Sequence, residues 1–188
     1  MKEKIIFLKN FFLKRKEVWA ILPSSFNLAK EIVKKEDIEK AKIIVEIWSG
    51  TWIFTKEILK YNLTWKKVFI FEINKDFYDR LKNKFKDSDL IILNEDILNI
   101  DKIMEKYNIN HIDLIISWIP FRSLPSELFD NFLIKISKYF DKQSYFLQFS
   151  YFKKTKKDFE KYFKNITYKK VWLNIPSAYV FKCNNYKK

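Results

Sequence analysis

The chain has 188 residues, 48% of them apolar, which is enough for one domain with a full core and too apolar for a disordered chain. Its 37 Lys and Arg against 23 Asp and Glu leave a net charge of +14, which favours an anionic partner, either nucleic acid or an acidic membrane surface. A single cysteine, Cys183, and a single histidine, His111, exclude an intramolecular disulfide and a Cys/His zinc site, so no metal is expected. The abundance of Lys, Ile, Asn, Phe and Tyr also follows from A/T-rich codons, which leaves the basic charge a second explanation.

Met1–Glu17 carries an apolar arc from Ile5 to Leu13 among lysines and predicts a helix. That helix either lies in a membrane interface or simply covers the sheet. Residues 1–40 are read as an N-terminal helical cap on a single domain spanning 1–188. From Ile43 onward, short β-branched and aromatic runs alternate with lysine-studded helical segments. Strands are predicted at Ile43–Ile47, Lys67–Ile73, Leu90–Leu93, Ile112–Ser117, Tyr145–Phe149, Ile166–Leu173 and Ala178–Cys183. Helices are predicted at Ile53–Tyr61, Lys75–Phe85, Ile100–Tyr107, Ser126–Phe140 and Lys156–Phe163. The alternation implies an α/β, Rossmann-like fold, a mostly parallel seven-stranded sheet with helices on both faces. The short connection Asn174–Ser177 suits an antiparallel hairpin at the sheet edge, with the last strand antiparallel. No apolar run approaches the ~20 residues of a spanning helix, and no signal peptide is visible. A cytoplasmic protein, free or peripheral on the inner membrane face, is expected.

Glu46 ends the first strand, Glu72 ends the second, and Asp96 follows the third, where doubly wound sheets bind their ligands. An acid after a strand is also a common helix cap. Three of them, with Gly50 and Thr51 in the first turn, form the pattern of a nucleotide-type cofactor site. Glu72 is placed to accept two ribose hydroxyls and Asp96 to meet an adenine amino group. The fourth strand exits through Ser117-Trp118-Ile119-Pro120-Phe121, where Pro120 sets a rigid turn at the pocket rim or an ordinary strand exit. The fifth exits through Gln148-Phe149-Ser150-Tyr151. Gln148 and Tyr151 beside Phe149 and Phe121 form a wall for a cationic group, unless these aromatics fall there by chance in a chain that is 19% aromatic. Cys183, in the terminal strand, is a packing residue with no histidine to activate it.

Taken together, Val18–Ser25, Val45–Thr55, Phe71–Asn74, Ser117–Phe121, Leu147–Tyr151 and Val171–Pro176 resemble the bacterial phospholipid N-methyltransferases. These are class I S-adenosylmethionine-dependent enzymes related to the rRNA adenine dimethyltransferases. The resemblance implies that Glu46, Trp48, Ser49, Gly50 and Thr51 hold the methionine moiety, Glu72 the ribose and Asp96 the adenine, with Ile73 and Ile97 in the same cofactor site. It implies that Ser117 to Phe121 face the methyl group and its acceptor, which makes Ser117, Pro120 and Tyr151 the catalytic candidates, with no evident general base. The implied reaction is methyl transfer to the amine of a phosphatidylethanolamine-type headgroup at an anionic membrane surface. The alternative is an rRNA adenine N6-methyltransferase, which the charge suits. Those enzymes carry Asn or Asp where Trp118 stands, and no C-terminal RNA-binding domain follows.

The family has glycine where this chain has Trp19, Trp48, Trp52 and Trp118, and often where it has Trp65; only Trp172 falls where the family itself has tryptophan. Glycine tolerates φ > 0 and lets a ligand approach the main chain, and tryptophan does neither. The chain holds a single glycine, against a usual share of about 7%. The five tryptophans are therefore expected to be UGA codons read under the wrong genetic code, in an organism that inserts glycine there. If they are genuine, they overfill the cofactor turn and leave a non-catalytic remnant. Glu95, where the family usually has glycine, is not covered by this idea.

Overall fold

A computed structural model describes residues 24–50, 52–174 and 176–187. The expected Met1–Glu17 helix, Trp19 and Thr51 lie outside the described residues. Helices α1 (Ser24–Ile32) and α2 (Lys35–Lys40) lead into β1 (Ile43–Ile47), α3 (Ile53–Ile58), β2 (Lys67–Phe71), α4 (Lys75–Lys84) and β3 (Leu90–Leu93). A 3-10 turn then precedes α5 (Ile100–Lys106), β4 (Leu114–Ser117), α6 (Ser126–Ser137), β5 (Tyr145–Ser150), α7 (Thr155–Phe159), β6 (Phe163–Val171) and β7 (Ala178–Tyr186). The seven strands form one sheet in the order β3-β2-β1-β4-β5-β7-β6. The strands from β3 to β5 pair in parallel, and only β7 runs antiparallel, against both β5 and β6.

Successive strand residues point to opposite faces, and the sheet is apolar on both. Val45, Phe69, Ile115 and Phe146 pack on one face with Ile100, Met104 and Phe132, from α5 and α6. Ile44, Ile70, Ile116 and Leu147 pack on the other with Leu28, Ile32, Phe54 and Ile58, from α1 and α3. Burial on both sides is what a parallel sheet demands, and it explains the unbroken apolar runs.

The expected elements form with shifted ends. The segment expected as helix to Phe163 stops at Phe159, because Phe163 starts β6 and its buried ring lies flat to Phe146 at 5.9 Å. Trp172 and Leu173, expected at the end of a strand, lie instead in the turn between β6 and β7 and are 73% exposed.

Candidate cofactor site

The C-terminal ends of the parallel strands lie along one edge of the sheet, and their register brings the expected residues together. Glu46 sits opposite Ile70 and Ile116, and Ile47 sits opposite Phe71 and Ser117. Glu46 is wholly buried and faces α3, where its Oε2 accepts from Thr55 Oγ1 at 2.8 Å. Its Oε1 has no hydrogen bond among the described residues. Burial pushes this carboxyl up to about 8, against the Thr55 hydrogen bond and with the neighbouring Glu72 charge adding to the rise.

Glu72 is equally buried, and both of its oxygens are engaged. Oε1 accepts from Asn74 N at 2.8 Å and Oε2 from Gly50 N at 3.2 Å. Burial raises this carboxyl to about 7, against those two backbone donors. In this conformation the backbone holds the carboxylate that was expected to receive a ribose. Asp96 combines two roles: Oδ1 accepts from Leu98 N at 2.9 Å and caps the 3-10 turn, while Oδ2 is buried with no hydrogen bond among the described residues. Burial raises its carboxyl. Asp96 lines a cavity of about 60 Å³ with Trp48, Ile73, Ile97, Ile119 and Phe121, far below the roughly 300–1,000 Å³ of small-molecule sites.

The loop that closes over Glu72 is where the sequence and the backbone disagree. Trp48, Gly50 and Trp52 have φ of 61°, 46° and 54°, so three alternating residues adopt the left-handed region. A methyl group added at Gly50 would meet nothing closer than Trp48 O at 4.0 Å, so its conformation, not crowding, calls for glycine. Trp65, in the turn before β2, has φ 67°. Among the described residues, the other non-glycine ones there are Asn108 and Asn185, the type that tolerates this region. Three of the tryptophans expected at glycine positions therefore occupy glycine's conformation. Trp118 does not, and its case is one of space: its ring lies 4.6 Å from Phe54 and 4.8 Å from Phe149, and its buried Nε1 has no hydrogen bond among the described residues.

Ser117 is buried, and its Oγ accepts from Ile119 N at 3.2 Å, which shapes the turn ahead of Pro120. Gln148 Nε2 donates to Ile119 O at 2.9 Å and ties this turn to β5, leaving Oε1 buried and without a hydrogen bond among the described residues. Tyr151 hydrogen-bonds Asn174, and burial raises its phenol to about 12. The expected cation-receiving wall does not form. Phe121 packs under α6 against Phe129 and Phe132, whereas Phe149 and Tyr151 lie on the α1 and α3 face. Phe121 follows β4 in a 3-10 turn that packs under α6, so it lies on the opposite side of the sheet from Phe149 in β5. Thr55, Asn74 and Asn94, whose Nδ2 donates to Glu72 O at 2.9 Å, are not among the site residues expected from the sequence. The Asn74 side chain also caps α4, a role that Asn before a helix announces.

The strand-end acids fit an adenosyl cofactor, since Glu46 Oε1 and Asp96 Oδ2 are buried acceptors in want of donors. The loop does not fit: Trp48 narrows the cavity and Gly50 covers Glu72. Among the described residues no cluster of His, Cys, Asp and Glu could hold a metal ion, and no helix is long and apolar enough to cross a membrane.

This sheet order is the fold of the class I S-adenosylmethionine-dependent methyltransferases, which solved members of that class share. A 1,6-didemethyltoxoflavin-N1-methyltransferase from Burkholderia thailandensis, solved with S-adenosylhomocysteine, superposes with a TM-score of 0.75 over 99% of this chain and 90% of its own, at 10% identity. An S-adenosylmethionine-dependent O-methyltransferase from Thermotoga maritima does so with a TM-score of 0.62 over 94% of this chain and 71% of its own, at 14% identity. The family model described as ribosomal RNA adenine dimethylase matches residues 22–170. The chain belongs to that family, and its cofactor is S-adenosylmethionine. A ribosomal RNA small subunit methyltransferase A from Mycoplasma capricolum is 37% identical over 94 residues, 49% of this chain and 34% of that protein. An ornithine lipid N-methyltransferase from Singulisphaera acidiphila is 28% identical over 129 residues, 68% of this chain and 67% of that protein. The chain thus matches about a third of the rRNA enzyme's length and two thirds of the lipid enzyme's.

Proposed function

We propose that this methyltransferase acts on the amine of a phospholipid headgroup of the phosphatidylethanolamine type. The reading rests on one observation: the match to the ornithine lipid enzyme extends over two thirds of both chains, while the match to the rRNA enzyme covers 34% of it. The exit from β4 supports it. Position 118 offers no amide or carboxylate to an adenine amine, whereas Gln148 Oε1, paired across from Ser117, is a buried acceptor for the N–H of an incoming amine. In this reading Glu46, Ser49, Gly50, Thr51 and Glu72 belong to the methionine and ribose end of the cofactor, and Ile73, Asp96 and Ile97 to its adenine end. Ser117 and Pro120 set the turn that faces the acceptor, and Tyr151 lines its approach. The sulfonium methyl is already activated, so the chain's task is to position a neutral amine against it and exclude water.

The family model and the +14 charge favour a second reading, an rRNA adenine N6-methyltransferase. Labelled methyl transfer from S-adenosylmethionine to phosphatidylethanolamine liposomes and to rRNA fragments separates the two. The assay uses a chain with glycine at positions 19, 48, 52, 65 and 118. Label in the lipid alone is the expected result; label in the RNA alone reverses the assignment.

A further inference from the structure

The loop's misfit to its cofactor carries a first inference: we infer that the working protein has glycine at positions 48, 52, 65 and 118. The first three stand at φ 54° to 67°, a conformation that an indole side chain has no means to favour. The fourth wedges an indole N–H, unpartnered among the described residues, between Phe54 and Phe149. With glycine at 48 and 52 the backbone gains the freedom to lift from Glu72, which releases that carboxylate toward a ribose, and the cavity beside Asp96 widens where Trp48 now stands. Trp172 behaves differently: it has no left-handed backbone, and its exposed ring lies 3.4 Å under Lys170 Nζ, so it stays tryptophan. The test is the mass of peptides from the protein made in its own host, read with the codons of its gene. Glycine at 48, 52, 65 and 118 from UGA, with tryptophan at 172 from UGG, is the expected result. Tryptophan in the peptides at 48, 52 and 65 overturns the inference, whatever the protein methylates. Calorimetry then reads the consequence, with S-adenosylmethionine expected to bind the glycine form roughly tenfold or more tighter than the tryptophan form.

A second, independent observation concerns the surface. Of seven large exposed apolar residues among those described, five come from elements that meet at one corner of the sheet: Phe26, Phe152, Tyr168, Trp172 and Leu173. The pairings Ser150 to Tyr179 and Val171 to Ala178 set the exit of β5 beside the β6–β7 turn. The Asn27 side chain reaches Leu173 O at 3.4 Å and brings α1 to the same place. Cations overlie these rings: Lys170 on Trp172, Lys153 on Tyr168 at 5.5 Å and Arg122 on Phe152 at 5.5 Å. The corner lies on the strand-end edge, where the Phe149–Tyr151 ring contact continues it along the exit of β5.

We propose that this corner docks the protein on an anionic lipid bilayer, with Trp172 and Leu173 entering the headgroup layer and the lysines facing lipid phosphates. Interfacial tryptophan beside lysine is the chemistry of membrane docking. Leu173 argues for lipid over RNA, since an aliphatic tip at 73% exposure offers a nucleic acid nothing to stack on or pair with. The proposal rests on the lipid reading of the active site, so its test reads binding alone. The full chain is sedimented with vesicles of phosphatidylglycerol and phosphatidylcholine, and with phosphatidylcholine alone. Expected is binding to the anionic vesicles, lost by about tenfold in Trp172→Ala/Leu173→Ala. It should be retained in Ile134→Ala, a control that is 54% exposed on α6. Undiminished vesicle binding by the double variant overturns the docking surface, as does a double variant that loses only rRNA binding. Methyl transfer to phosphatidylethanolamine in detergent micelles, measured on the same variants made in the glycine form, tests the lipid reading separately, because it needs no bilayer.

Discussion

Replacing a large exposed aromatic with glycine ordinarily destabilises a protein or does nothing. Trp65→Gly is expected to stabilise this one. Trp65 sits at φ 67° with 95% of its surface exposed, so the substitution removes no packing. A non-glycine residue in the left-handed region costs about 1–2 kcal/mol. Glycine returns part of that as extra freedom of the unfolded chain, about 0.5–1 kcal/mol. The net gain is about 1 kcal/mol, or roughly 2–4 °C in Tm for a domain of this size. Thermal unfolding followed by circular dichroism measures it, with Trp65→Asn expected to fall between the two because asparagine tolerates this region. Trp172→Gly is the matched control. That residue is also exposed but lies outside the left-handed set, so glycine there lowers Tm or leaves it unchanged. A Trp65→Gly protein with Tm equal to or below the parent refutes the argument that positions 48, 52 and 65 are built for glycine.

Three further outcomes follow from the packing. Glu46 has its carboxyl raised to about 8 by burial, so the folded state holds a proton that the unfolded chain gives up near its ordinary value. The Glu46 contribution to stability is therefore full below about pH 4.5 and is lost as pH rises through about 8. Urea unfolding across that range should show a decline shared with Glu72, whose carboxyl burial raises to about 7, and Glu46→Gln should make it shallower. Asp113 Oδ2 accepts from both Lys42 N and Ile43 N at 2.8 Å, at the end of the sheet away from the site. Asp113→Ala should cost about 1–3 kcal/mol in urea unfolding while leaving cofactor affinity in the glycine form unchanged. Phe146, buried between Phe159, Phe163 and Phe132, should cost about 3–5 kcal/mol when replaced by alanine, by the same measurement.

Much of the fold was legible in the chain. Runs such as Ile43–Val45 and Leu114–Ile116 are continuously apolar, as a two-sided parallel sheet demands, and the lysine-rich helices between them mark the crossovers of an α/β fold. Boundaries were less legible. Phe163 and Trp172 carry the same aromatic signal, yet one is buried in a strand and the other exposed in a turn, because only the pairing of β6 with β7 decides where the hairpin reverses. Among the site residues, Glu46, Glu72 and Asp96 are legible from their places at strand ends. Thr55 and Asn74 are not, since their importance lies in which carboxylate they reach.

By itself the sequence pointed to the class of enzyme, through acids at successive strand ends around a lone glycine, and its resemblance to a family marked the tryptophans expected at glycine positions. Tertiary structure alone decided that Trp48, Trp52 and Trp65 are held at positive φ, that Phe121 and Phe149 face opposite sides of the sheet, and that Glu72 is closed off by the loop. Composition and periodicity describe what each residue prefers, while dihedral angles, sheet faces and buried partners exist only once distant segments have been brought together.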